Sequence, residues 1–359
     1  MVSIARQQKT ANYQCVTTYP APRTTQLFSF VSSSRDATLL SLVSLFLPPD
    51  LSMPIFSEEL LTAAANNEPA ALAELDARGF LCGKDEDRPA YISRLRTLQK
   101  NIAVMSESLA HNGFYDIEGL KLNKADMIAP HFFREVKDCC ESLYAFSIDW
   151  VPGFFIDPSF SLLFGGCAFY FYPDFFAIFI IRRSFKHKER WLIYRRQELL
   201  AHELCHVARI GLNSTIYEES LAYLTARSPF RRLLGGLFHR QQDSFLFLGV
   251  TFLLLAAQIL RTQFLPSLPI WPFWSLLAAI FAWLATRHAY YSRLLKKALK
   301  TCARLAGNNA LPVIFRCCDQ DIAELAAIRN DSEARSWLDK RRETSLRWQV
   351  IHSRFCCGS

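Results

Sequence analysis

Residues 198–209 read Glu198-Leu-Leu-Ala-His202-Glu203-Leu-Cys-His206-Val-Ala-Arg209. On a helix, positions i and i+4 lie on one face, one turn apart. His202 and His206 can therefore aim a ring nitrogen each at one metal ion, with Glu203 beside the open coordination position. Zinc suits imidazole and carboxylate ligands in tetrahedral geometry with no redox demand. A chance match to this pattern in a chain of this composition has a probability of roughly 1%. The flanking sequence has to carry the rest.

Residues 191–210 predict a helix that Gly211 ends, so the chain can turn back toward the metal. A second helix is expected from about Thr215 to Ala226, carrying Glu218 and Glu219 in its first turn. Thr215 and Glu218 have the spacing of a capping box, which would occupy Glu218 and leave Glu219 as third ligand. Glu218 is the alternative ligand, and two solvated acids at a helix N-terminus need no metal at all. A run of β-formers at 175–181 precedes the helix, and an edge strand there could take substrate as an added strand. Tyr223 lies one turn after Glu219 and is either an oxyanion donor or a core tyrosine. Glu198 either orients His202 or sits on the surface. Arg209 is expected to pair with Glu218 or Glu219, or to sit at the helix C-terminus. Cys205 reads as a small buried apolar group, and His187 and His239 as solvated.

HExxH followed by a helix bearing Glu, with Ala three residues later in Glu219-Ser-Leu-Ala222, resembles the gluzincin zinc metallopeptidases. The resemblance covers about residues 175–226. It implies an α+β, zincin-like core, zinc held by His202, His206 and a downstream Glu, and Glu203 as general base. A zinc metalloendopeptidase is the function it implies, which the apolar runs described next would make membrane-anchored.

Beyond this region two uncharged apolar runs follow, 17 residues at 244–260 and 19 at 268–286. Each has the length of a membrane-spanning helix, the first narrowly. Arg227, Arg231, Arg232 and Arg240 precede them, and Arg287, Arg293, Lys296, Lys297 and Lys300 follow. By the positive-inside rule this predicts a two-helix transmembrane hairpin with both termini and the catalytic core cytoplasmic. Membrane lipid and membrane-associated peptide substrates are the expected partners. Residues 151–181 are strongly aromatic, but Pro152, Pro158 and Pro173 with Asp157 and Asp174 argue for strands over a third span.

The remaining composition excludes more than it assigns. A net charge of +8 without a Lys/Arg tract interleaved with aromatics gives no nucleic-acid signal. Eleven cysteines without metal-pair spacing read as reduced thiols. The expected division is a disordered extension at 1–52, helices at 53–145, the catalytic core at 146–228, the hairpin at 229–300 and a helical region at 301–359. Met53 is an alternative start. Two other functions fit the sequence: a non-catalytic, metal-binding or scaffolding membrane protein, and an intramembrane metallopeptidase. The charges of Arg195, Arg196, Glu198 and Arg209 on the motif's own helix oppose the second.

Overall fold

The computed structural model describes residues 14–15, 54–117, 119–156, 165–171, 176–192, 194–239 and 241–356. The readings made for 1–52 otherwise lie outside the described residues, as does the alternative start at Met53. The chain enters through α1 (Glu58–Ala65), which Ser57 caps by accepting from Leu60 N at 3.2 Å. α2 (Pro69–Ala77) ends just before Gly79, whose φ of +84° only glycine adopts freely. Asp87 then caps α3 (Arg88–Asn112), and Gly113 ends it in the left-handed conformation. Tyr91, Ile92, Leu95, Leu98, Ile102, Met105 and Leu109 form the buried stripe that lays α3 on the core.

A four-stranded sheet lies beside this helix, in the order β1 (Gln14–Cys15), β5 (Gly166–Phe171), β6 (Phe176–Arg182), β4 (Gly153–Ile156). β5 pairs antiparallel with both β1 and β6, while β4 runs parallel to β6. The run expected at an edge is thus an interior strand. Residues 177–181 of β6 are buried on both faces, which is why they are continuously apolar. Two short ribbons, β2 (Phe114–Ile117) with β3 (Leu120–Asn123) and β7 (Arg190–Trp191) with β8 (Tyr194–Arg195), complete the strands among the described residues. α4 (Pro130–Tyr144) follows the first ribbon in the chain and packs against the helix of residues 196–209.

The expectation of an α+β, zincin-like core is not met. Helices dominate, and the sheets are too small to form a layer of their own. The metal motif lies on α5 (Arg196–Arg209), followed by the short α6 (Glu218–Ala222) and α7 (Pro229–Leu234). The expected helix at 191–210 begins later because 190–195 turn in the second ribbon.

The two-span hairpin and its cytoplasmic topology are also corrected. Among the described residues, one helix segment, Gln242–Gln263 of α8 (Gln241–Gln263), is long and apolar enough to cross a membrane, with mean hydropathy 1.9. The second run opens α9 (Trp271–Ala306), where Trp271, Trp274 and Trp283 dilute the hydropathy and the chain turns basic at Arg287. The later half of α9 packs under the C-terminal helices, with Ala298, Thr301, Cys302 and Leu305 buried. The two helices still touch through Leu254, Ala257 and Ile270. Asp243, near the start of α8, pairs with Arg287, midway along α9, at 2.5 Å.

The C-terminal region is α10 (Ala310–Phe315), α11 (Asp319–Ala327), α12 (Asp331–Thr344) and α13 (Leu346–Ile351). Residues 311–315 belong to α10, where Pro312, Val313, Ile314 and Phe315 are buried. This region closes on the N-terminal helices through ionic contacts. Buried Asp76 of α2 accepts from Arg316 Nε at 2.7 Å and from Arg354. Arg316 also donates to the carbonyls of Tyr144, Pro312 and Ala145. Removing the shared carboxylate leaves buried Arg316 without a counter-charge. Asp76→Ala is therefore expected to cost about 3–5 kcal/mol in chemical unfolding, and an unchanged unfolding midpoint would refute the role assigned to this cluster.

Candidate metal centre

The second ribbon delivers the chain into α5 with Leu192 at φ +50°, a left-handed turn residue between paired strands. Residues 198–209 of α5 are all buried. The helix runs into a turn at Ile210–Leu212, where Gly211 meets the N-terminal segment. Lys84 N donates to the Gly211 carbonyl at 2.9 Å, and a Cβ on Gly211 would lie 3.1 Å from Gly83 Cα. Glycine is required there by close backbone approach. Asn213, at φ +52°, reverses the chain toward α6.

This return brings three ligand groups together. His202 Nε2 lies 3.1 Å from His206 Nε2. Glu219 Oε2 lies 3.4 Å from His202 Nε2, and Glu219 Oε1 lies 3.5 Å from His206 Nε2. Ligands at 2.0–2.1 Å from a tetrahedral zinc would stand about 3.3 Å apart, so the spacing fits a metal of that size. Glu219 Oε2 is buried and makes no hydrogen bond of good geometry, an oxygen that a cation would satisfy. His202, His206 and Glu219 can thus hold a metal ion.

Glu218 does different work. Its Oε1 accepts from His206 Nδ1 at 3.2 Å, which leaves the lone pair on Nε2 facing the other two ligands. Its Oε2 accepts from Arg209 Nε at 2.8 Å. Arg209 is 1% exposed and also donates to the carbonyls of Phe315 and Cys317. The expected capping box is absent: α6 starts at Glu218, after an N-cap Tyr217 whose side chain makes no cap. Asp319, more than a hundred residues later, accepts from the 214–217 loop instead. No local pattern in the sequence could reveal that partner.

Glu203 is 4% exposed, and its Oε2 accepts from Ala168 N at 3.1 Å. Arg182 N donates to the Gly165 carbonyl, so even-numbered residues of β5 turn their amides away from β6. Glu203 therefore meets the outer edge of β5, along which β1 also pairs, opposite Phe169 and Tyr170. The Tyr223 ring stands edge-on to His202, with centroids 4.5 Å apart. Gly235 backs that ring, and a Cβ there would fall 2.1 Å from it. Glu198 does not orient His202. It accepts from Arg231 at 2.5 Å and from Arg227 N at 3.3 Å, tying α7 to the metal helix. His187 is exposed as expected, whereas His239 is buried against Tyr291 and His288. Burial, followed by the charge of Arg287, pulls the His239 pKa down and favours the neutral ring. Cys205 is fully buried, and that burial pushes its thiol pKa far up.

The metal-free cluster is electrostatically coupled. Burial alone would lower the His206 pKa, but the Glu219 and Glu218 carboxylates outweigh it and raise it. Burial alone would raise that of Glu219, but His206 and His202 bring it below the ordinary range. Comparisons with known protein families, curated proteins and solved structures found no match for this chain.

Metal analysis is expected to find about one zinc per chain, lost on His202→Ala, His206→Ala or Glu219→Ala. Glu218→Ala should keep the metal with affinity reduced about 10–100-fold. The proton held by His206 competes with the metal. Zinc affinity should therefore rise with pH through the raised His206 pKa and fall below it. Equal zinc in the wild type and the double histidine variant would refute the site.

Proposed function

We propose that the chain is a zinc-dependent peptidase with Glu203 as its general base. The observation that carries this reading is the convergence of His202, His206 and Glu219 at 3.1–3.5 Å, with buried Glu203 next to His202 in the sequence of the same helix. The ligand set is that of the gluzincin resemblance, although the architecture around it differs. A zinc ion there would supply Lewis acidity toward a peptide carbonyl and toward water. Glu203 accepts the proton of the attacking water on its carboxylate and returns it to the leaving amine. Tyr223, set by Gly235 against His202, is assigned the hydrogen bond to the developing oxyanion.

The proposed substrate class, a peptide or protein chain, rests on the gluzincin resemblance, because the outer side of β5 is already used by Glu203 at Ala168 N and by β1. Membrane lipid is a further expected partner. α8 leaves Phe245, Phe252 and Ile259 exposed, and Trp271 and Trp274 of α9 are exposed beside it. An intramembrane peptidase is disfavoured because α5 is buried among protein side chains and pairs its charges there. A purely metal-binding protein is the remaining alternative, and one variant separates it from the peptidase.

Glu203→Gln should keep a full zinc complement and lower peptide hydrolysis by about 10²–10⁴-fold. Tyr223→Phe should lower kcat by about 10²-fold, also with zinc retained. Assays on a library of unstructured peptides measure both. Zinc-loaded wild type that cleaves none of them, or Glu203→Gln that cleaves as well as wild type, would leave the metal-binding reading in its place.

A further inference from the structure

The link from the second histidine to the third ligand is short, residues 207–218, and ends in a helix of only 5 residues. Such a helix makes few hydrogen bonds of its own, and its first amides have no intrahelical acceptor. Something outside it has to fix where Glu219 points. We propose that Asp319 is a positioning residue of the metal centre. This inference rests on the metal reading above.

The geometry is specific. Asp319 Oδ1 accepts from Ser214 Oγ at 2.5 Å and from Tyr217 N at 3.4 Å. Asp319 Oδ2 accepts from Thr215 N at 2.8 Å and from Ile216 N at 3.0 Å. One carboxylate thus gathers every main-chain N–H from 215 to 217 and leaves the chain one residue short of Glu218. All four partners are donors, so an ionised acceptor matches them and a neutral amide does not.

The anchor is itself held in place. Asp319 is the first residue of α11, whose N-terminus is closed by Asp321 accepting from Cys318 N at 2.9 Å. Arg347 of α13 donates to the same Asp321 carboxylate at 2.6 Å. The preceding residues Phe315 and Cys317 offer their carbonyls to Arg209, which holds Glu218 and through it His206. Residues 315–319 therefore tie down two members of the site by separate routes, His206 through Arg209 and Glu219 through the loop. With that support gone, Glu219 stays on its helix but loses its fixed distance to the two imidazoles. Outer partners of this kind typically set metal affinity within 10–100-fold.

The test uses the full chain and zinc alone, with affinity read by competition against a chelating dye and folding checked by circular dichroism. Asp319→Asn conserves volume and puts an amide N–H against donors. It is expected to stay folded and to raise the zinc Kd at least tenfold. Ser214→Ala removes one of the four donors and should raise it only a few-fold, without loss of fold. A purely structural Asp319 would instead lower the unfolding midpoint of the metal-free protein and leave the zinc Kd of the folded fraction unchanged. Folded Asp319→Asn with a Kd within twofold of wild type overturns the inference and leaves the metal reading standing. If Asp319→Asn does not fold, Ser214→Ala decides, and an unchanged Kd there overturns it equally. Wild type that takes up no zinc overturns the metal reading and this inference together.

Discussion

A fully buried guanidinium organises this molecule. Arg209 sits at the end of the metal helix with almost no solvent contact, and taking a charge out of water costs several kcal/mol unless it is fully matched. The match is one carboxylate, Glu218, and two main-chain carbonyls from the far end of the chain. Satisfying one buried charge thus fixes three things together: the return loop after the helix, the ring of His206, and the seat of the C-terminal helices. In the Asp76–Arg316–Arg354 cluster a second buried guanidinium, Arg316, is matched in the same way, by one carboxylate and main-chain carbonyls. Between the two ionic sites, Phe315 stacks on Tyr144 and Phe146, so apolar contact fills the space that the charges define.

The polar interior contrasts with the surface of α8 and the start of α9. There the chain leaves Phe252, Phe264, Trp271 and Trp274 more than half exposed, while the pair of Asp243 and Arg287 joins the two helices. The same sequence therefore builds two environments. In one, charges are buried and paired with one another. In the other, apolar side chains are presented outward without a partner among the described residues.

Local physics was legible in the sequence at the motif: His202, His206 and Glu219 meet as the i, i+4 spacing and a short return require. Residues 176–182 were legible as a strand but not as an interior one, because burial on both faces shows only as a lack of alternation. What failed depends on distance along the chain. The capping box at Thr215 and Glu218 was a sound local pattern, yet Asp319 took the amides and Arg209 took the carboxylate. The hairpin failed for another reason: hydropathy of a run does not reveal that its helix continues, as α9 does, into a basic half that packs against α10 and α11.

The ties that hold the candidate site and the C-terminal helices join residues very far apart in sequence: 76 to 316, 209 to 315 and 214 to 319. Contacts of that separation close large loops and form late, after local helices are in place. During synthesis the helix at 196–209 emerges about a hundred residues before its partners at 315–319. Through that interval Arg209 has neither carbonyl partner and the 214–217 loop has no anchor. The candidate site can thus assemble only once residue 319 has been made, and a shorter nascent chain carries the motif without it.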